Sequence, residues 1–414
     1  MSDGPGAPLP LTHNMAEKPA GPKPGNSSDP GDARPHLKLI ALLAAGHLVV
    51  DTNQGAIPAI LPFLKSALNL SYASAGALVL VANLTSSIIQ PLFGYFADQR
   101  SWRWMLPLSV VLAGLGLGLT GVAASYWLVM LLLVVMGGGV AAYHPEGYRM
   151  AAGVAGLKKA TALSWFSVGG NIGIALGPPM ITFLVVHFGM GGSVGMLLPA
   201  LAMAFLLILA SPRLSIAGPR YHPVTGTGQA AQNRPGAMAL LIVLVAVRSW
   251  TQLGFATYVP FYYLDYLHAS PQTVAWMLFV FLGAGAVGTL IGGPVADRWG
   301  AKPFTAWAFL VAAPLGIAFM KTEGFWAYVV MGLFGAALVA TFTTTVVLGQ
   351  AYLPRNPGMA SGLIVGFAIG AGGVAVTLLG WFADLYGVPA VLWVSAAMPL
   401  IGFITAAMLP PPQK

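Results

Sequence analysis

From Leu37 onward, apolar stretches of about 18–28 residues alternate with short polar or Gly/Pro-containing turns. An α-helix rises ~1.5 Å per residue, so ~20 apolar residues cross the ~30 Å hydrocarbon layer of a bilayer. The pattern predicts twelve helices, over about 37–64, 72–97, 104–123, 126–150, 160–186, 193–210, 238–264, 272–296, 303–320, 325–352, 359–383 and 388–409. The expected fold class is an all-α membrane protein with twelve transmembrane helices.

The one long polar interruption, 211–237, follows the sixth segment and divides the chain six plus six. The halves echo each other. Leu61-Pro62-Phe63 matches Val259-Pro260-Phe261, Gln54 matches Gln252, Asp98 matches Asp297, Trp127 matches Trp326 and Gly189 matches Gly387, every pair 198 or 199 residues apart. An offset held across nearly a whole half predicts two pseudo-symmetric six-helix bundles, as in transporters built from parallel repeats. The expected organisation is a disordered cytoplasmic tail (1–36), an N-terminal bundle (37–210), a cytoplasmic linker (211–237) and a C-terminal bundle (238–410). The tail is dense in Pro, Gly and Ser and has no apolar run, which excludes a signal peptide; Met15 is an alternative start.

Composition sharpens this picture. Only 7% of residues are charged and 57% are hydrophobic, against about 25% charged in soluble proteins, so most of the chain cannot face water. The absence of cysteine removes disulfides, thiolate nucleophiles and Cys-based metal sites. The net charge of +8 raises the question of nucleic acid, but its placement answers otherwise. Sixteen Lys/Arg fall on the side of the N-terminus, and only Lys65 and Lys321 on the other. That is the positive-inside pattern. It predicts a multi-pass protein of the bacterial inner membrane with both termini cytoplasmic and no nucleic-acid partner.

Two loops repeat one motif: Gly94-Tyr-Phe-Ala-Asp98-Gln-Arg100-Ser-Trp-Arg103 after the second segment, and Gly293-Pro-Val-Ala-Asp297-Arg298-Trp-Gly300-Ala-Lys302 after the eighth. A carboxylate at a helix end beside Arg or Lys can hold two helices together in one state and release them in another. The alternative, a plain charged turn, is weakened by the second copy. Gly94, Asp98, Arg100, Arg103, Asp297, Arg298 and Lys302, with Arg149, are the expected gating residues. Both loops resemble the G-x-L-a-D-r-x-G-R/K motif of the major facilitator superfamily. In the fifth segment, Gly169-Gly170-Asn171-Ile-Gly173-Ile-Ala-Leu-Gly177-Pro178-Pro179 resembles the core of the antiporter motif of proton-driven exporters in that superfamily. It also reads as ordinary small-residue helix packing, the role expected of Gly173, Gly177 and Pro178.

Four further elements, Gly137-Gly-Gly-Val-Ala-Ala-Tyr143-His144-Pro145-Glu146-Gly147, His47-x-x-x-Asp51, Leu61-Pro62 and Gly380-Trp-Phe-Ala-Asp384, are similar to the fosmidomycin resistance protein family of bacterial efflux transporters. The resemblance covers most of the chain outside the tail and linker. It implies the major facilitator fold and export of a small drug-like or anionic compound, such as a phosphonate, in exchange for protons. No cofactor is implied beyond the proton gradient. One departure is that Leu133 stands where other drug exporters carry the Arg of their proton relay. Asp384 ends the eleventh segment on the outer side and reads as a cap.

A charged residue at the centre of a membrane helix costs about 2.5–3.5 kcal/mol on insertion scales, so those inside the segments need a reason. Three stand out: Asp51, Glu146 and Arg248. His47 and Asp51, four apart, share a helix face, either as a proton acceptor or as a structural pair. The expected proton-coupling set is Asp51, His47, Glu146 and His144, although Glu146 could equally form a local ion pair with Arg149. Arg248 has no acidic residue within a turn and needs an anionic substrate or a partner on another helix, for which Asp51 is the candidate by register. The expected substrate-binding set is Arg248, Gln54, Gln252, Tyr143, Asn171, Trp250 and Tyr258. No metal site is expected, and the chain is read as a monomer whose partners are a small molecule, protons and the lipid bilayer. It contains no HExxH, Walker loop or nucleophile–base pair, so no enzyme is predicted. Two alternatives stay open: a proton-coupled importer of an organic anion, and a membrane receptor that does not transport.

Overall fold

The computed structural model describes residues 36–90, 92–93, 104–155, 159–216, 232–356, 359–360 and 363–412, with Met1 and Gly4. Gly94, Asp98, Arg100 and Arg103 of the first gating loop lie outside the described residues, as do nearly all of the tail and the middle of the linker.

The described residues are helical almost throughout and contain no strand. The first half comprises α1 (Leu37–Leu68), α2 (Tyr72–Ile88), α3 (Met105–Gly118), α4 (Tyr126–Gly153), α5 (Lys159–Phe188) and α6 (Leu197–Ile216). The second comprises α7 (Pro235–Phe261), α8 (Pro271–Trp299), α9 (Ala301–Phe319), α10 (Gly324–Val339), α11 (Thr341–Tyr352), α12 (Ala368–Tyr386) and α13 (Val388–Met408). The tenth predicted segment is therefore two helices, α10 and α11, interrupted at Ala340. Among the described residues, nine helical stretches are long and apolar enough to cross a membrane.

The repeat read from the sequence extends to backbone conformation. Asn69 ends α1 at φ 51°, and His268, 199 residues later, follows the π-turn Tyr262–Tyr266 at φ 48°. Ser71 caps α2 by accepting from the Ser74 amide at 3.1 Å; Ser270, at the same offset, caps α8 by accepting from the Thr273 amide at 3.2 Å. Gly189 and Gly387, 198 apart, adopt φ 68° and 82°, a region where only glycine is at ease.

The helices pack as two bundles. In the first, α1 lies against α5, and α4 against α2 and α3; in the second, α8 lies against α10, and α13 against α7 and α9. The α1–α5 contact is backbone to backbone. A Cβ added at Gly169, Gly173 or Gly177 would strike the α1 main chain at Ala44, Leu48 or Ala56 respectively. Small residues four apart therefore bring these two helices into direct contact.

The bundles meet along two seams, α2 with α12 and α5 with α8. The repeat register makes α8 the counterpart of α2, and α12 the counterpart of α5. Exchanging the halves therefore turns one seam into the other. Along the α2–α12 seam the gap widens in one direction. A Cβ at Gly380 would lie 2.7 Å from Ala73 Cα and one at Gly373 3.1 Å from Leu80 Cα, whereas at Gly370 and Gly366 the nearest seam atoms are 3.8 Å away. The tight end is the face that carries the α1–α2 and α7–α8 turns.

Candidate functional site

Within the first bundle, α1, α4 and α5 bring together three ionisable side chains. Asp51 is 3% exposed. Its Oδ2 lies 3.1 Å from His47 Nε2, one turn away on α1, and its Oδ1 lies 3.3 Å from His144 Nε2 on α4. The other nitrogen of each imidazole faces a backbone carbonyl: His47 Nδ1 donates to Phe166 O at 2.8 Å and His144 Nδ1 to Val140 O at 2.9 Å. A carbonyl oxygen only accepts, so both Nδ1 atoms carry hydrogen. That leaves Nε2 of each ring turned toward Asp51. A bare Nε2 there would set lone pair against lone pair, so each contact is attractive only with a proton in it. The contacts are at ion-pair distance but loosely aimed, since neither His47 Nε2 nor Asp51 Oδ1 makes a directed hydrogen bond.

The surroundings hold the rings in place. His47 stacks on Phe166 with centroids 4.2 Å apart, and meets His144 edge-on at 4.9 Å. Gly170 of α5 makes room for the cluster, because a Cβ there would lie 2.5 Å from His47 Nε2 and 2.6 Å from Asp51 Oδ2. The three ligand-type atoms lie within 4.8 Å of one another, a spacing that a divalent cation could also use. Sequence reasoning did not single out Phe166, Val140 or Gly170 for this site. Gly170 stood in the quoted glycine run, which read either as an antiporter-like motif or as packing and did not point to this cluster.

Glu146, expected among the proton carriers, is engaged elsewhere. It is 0% exposed, and Arg149, one turn on, donates Nε to Oε2 at 2.8 Å and Nη2 to Oε1. This is the local ion pair, so neither residue joins the cluster. Tyr143 was expected to bind substrate, yet it is fully buried and donates its hydroxyl to Leu43 O at 2.8 Å, in space that Gly46 leaves open. Tyr258 is likewise buried and donates to Val376 O at 2.6 Å, tying α7 to α12. In both cases an aromatic hydroxyl satisfies a neighbouring helix's carbonyl.

Arg248 sits in the second bundle, 3% exposed, with its guanidinium 4.9 Å above the Phe342 ring of α11. Its Nε has no hydrogen-bond partner, and neither does the buried Trp250 Nε1 two residues on. The anticipated Asp51–Arg248 pair is not formed, because Asp51 is taken by the two histidines. The ring face offsets part of the charge through cation–π attraction and leaves the donors open. Gln54, Asn171 and Gln252 are half-buried. Of the described gating residues, Asp297 and Arg298 are exposed at the end of α8 and Lys302 is half-buried, with no ion pair to a described residue.

The chain matches the family model described as Major Facilitator Superfamily over residues 43–367 and 238–414. It is 33% identical over 383 residues to an uncharacterized MFS-type transporter, YfnC, of Bacillus subtilis, covering 91% of this chain and 93% of that one. It is 31% identical over 396 residues to the fosmidomycin resistance protein of Escherichia coli, covering 94% and 97%. Among solved structures it resembles an inward-facing, unoccupied bacterial homolog of the human lysosomal transporter Spinster, with a TM-score of 0.75, 16% identity and coverage of 90% and 97%.

Proposed function

This chain belongs to the Major Facilitator Superfamily, and from that membership we propose that it exports a small anionic, drug-like compound across the inner membrane in exchange for protons. The observation that carries the proposal is the His47–Asp51–His144 cluster: an isolated carboxylate buried there would cost several kcal/mol, and two imidazoles aimed at its oxygens give it protons to share. Arg248 supplies the anion site. A buried guanidinium with open donors is suited to a phosphonate or carboxylate. The relative at 31% identity is named for resistance to fosmidomycin, which favours efflux and makes a phosphonate the first compound to try. The positive-inside pattern supports an orientation with both termini in the cytoplasm and the α1–α2 turn outside, which makes the tight end of the α2–α12 seam the outer one.

The test is proton movement driven by fosmidomycin in proteoliposomes with an imposed pH gradient. The parent protein is expected to couple the two fluxes, and coupling is expected to vanish when His47→Ala and Asp51→Asn are combined. Coupling that survives the pair of substitutions overturns the assignment. Chelation by EDTA is expected to change nothing. Loss of transport on chelation would instead mark the cluster as a cation site.

A further inference from the structure

The outer ends of the bundles are joined by side chains to which the transport reading assigns no role. Asp384, near the end of α12 in the second bundle, reaches the start of α2 in the first: Oδ1 accepts from the Tyr72 amide at 2.8 Å and Oδ2 from the Ala73 amide at 3.0 Å. A helix start leaves four N–H groups without intrahelical partners. In α2 the Ser74 amide goes to Ser71 Oγ, and the Ala75 amide makes the first helical bond, to Ser71 O, so Asp384 answers the Tyr72 and Ala73 amides from across the seam. It acts as a cap, as read from the sequence, but for a helix of the other bundle. Beside it a second clasp crosses the same boundary: the Tyr72 hydroxyl donates to Asp265 Oδ2 at 2.8 Å, and Lys65 lies 4.0 Å from that oxygen and 4.4 Å above the Tyr72 ring.

The symmetry-related seam has no such cap. The position equivalent to Asp384 in α5, 198 residues earlier, is Val186, which offers no carboxylate. The position equivalent to Tyr72, 199 residues later, is Pro271, which has no N–H to give. Acceptor and first donor are thus both missing from α5–α8, although the fold repeats the helices themselves.

We propose that Asp384 is the outer gating residue of the transport cycle, capping α2 while the outer side is closed and releasing it when the bundles rock apart, a cap that the equivalent positions of the α5–α8 seam cannot form. Its role is positioning, since it is remote from both Arg248 and the His47–Asp51–His144 cluster. The name "outer" rests on the orientation proposed above; the latch itself does not depend on substrate or proton assignments.

The chain has no native cysteine, so Ala124→Cys and Glu323→Cys, exposed positions on the latch face of opposite bundles, accept two spin labels and nothing else does. Double electron–electron resonance on the purified, substrate-free protein is expected to give mainly the shorter, closed distance. Asp384→Ala is expected to raise the ratio of open to closed distances about tenfold, the order set by losing an exposed helix cap, and Asp384→Glu to recover most of the closed population. An Asp384→Ala distribution matching the parent's overturns the proposal. Should Asp384→Ala not fold, Asp384→Asn, which keeps the shape and loses the charge, is judged by the same two outcomes. Because no substrate or pH gradient enters the measurement, a negative result here is distinct from failure of proton-coupled export.

Discussion

A carboxylate sealed inside a bundle has to be answered by its neighbours, and at Asp51 the answer is two imidazoles whose far nitrogens are pinned by backbone carbonyls. Pinning fixes which nitrogen can exchange a proton. It also makes the geometry sensitive to small intrusions. Gly170→Ala adds one methyl against His47 Nε2 and Asp51 Oδ2; overfilling of that kind costs about 1–3 kcal/mol. The variant is expected to fold, shown by an unchanged gel-filtration profile, and to lose at least tenfold in proton-coupled transport rate. A rate equal to the parent's would mean that the cluster tolerates displacement and is not the coupling element. The sequence showed part of this site. His47 and Asp51 lie a helical turn apart and pair visibly, whereas His144 comes from another helix and only the fold brings it to the free oxygen. The packing of the tyrosines was illegible for a related reason: Tyr143 and Tyr258 look the same on paper whether they line a cavity or donate to a carbonyl of the next helix, as both do.

The apolar segments and the repeat were the most legible features, because segment length and offset can both be counted along the chain. Among the described residues each of the twelve apolar segments is largely helical, the tenth as two helices, and Ser71/Ser270 and Gly189/Gly387 took equivalent conformations in the two halves. The break at Ala340 between α10 and α11 was not legible, since the run around it carries no charge and no proline. The glycine run of α5 was readable in two ways, and its placement against α1 shows what each glycine meets. Gly173→Leu would press a side chain into the Leu48 backbone, which cannot yield as a side-chain tip can. It is expected to lower the apparent melting temperature by several degrees or more, the order that follows from a few kcal/mol. A melting curve matching the parent's would show that α1 and α5 separate easily.

At the scale of the whole molecule, the two chemistries sit on different bodies. The cluster is built from α1, α4 and α5 of the first bundle, and Arg248 with Phe342 from α7 and α11 of the second. Arg248→Ala is therefore expected to weaken phosphonate binding by tenfold or more in calorimetry at fixed pH, while Asp51→Asn changes it by no more than a few-fold; equal losses in both would mean one shared site. The backbone contact between α1 and α5 adds a consequence for timing. Because α5 is both the wall of the cluster and a seam helix, the carboxylate and the His47 ring would, on the proposed cycle, ride with the seam like cargo bolted to a swinging door. On the proposed cycle, rocking would leave their mutual distances alone and alter only the water on either side of them, so that loading and unloading would follow which compartment's acidity the cluster samples at each end of the swing.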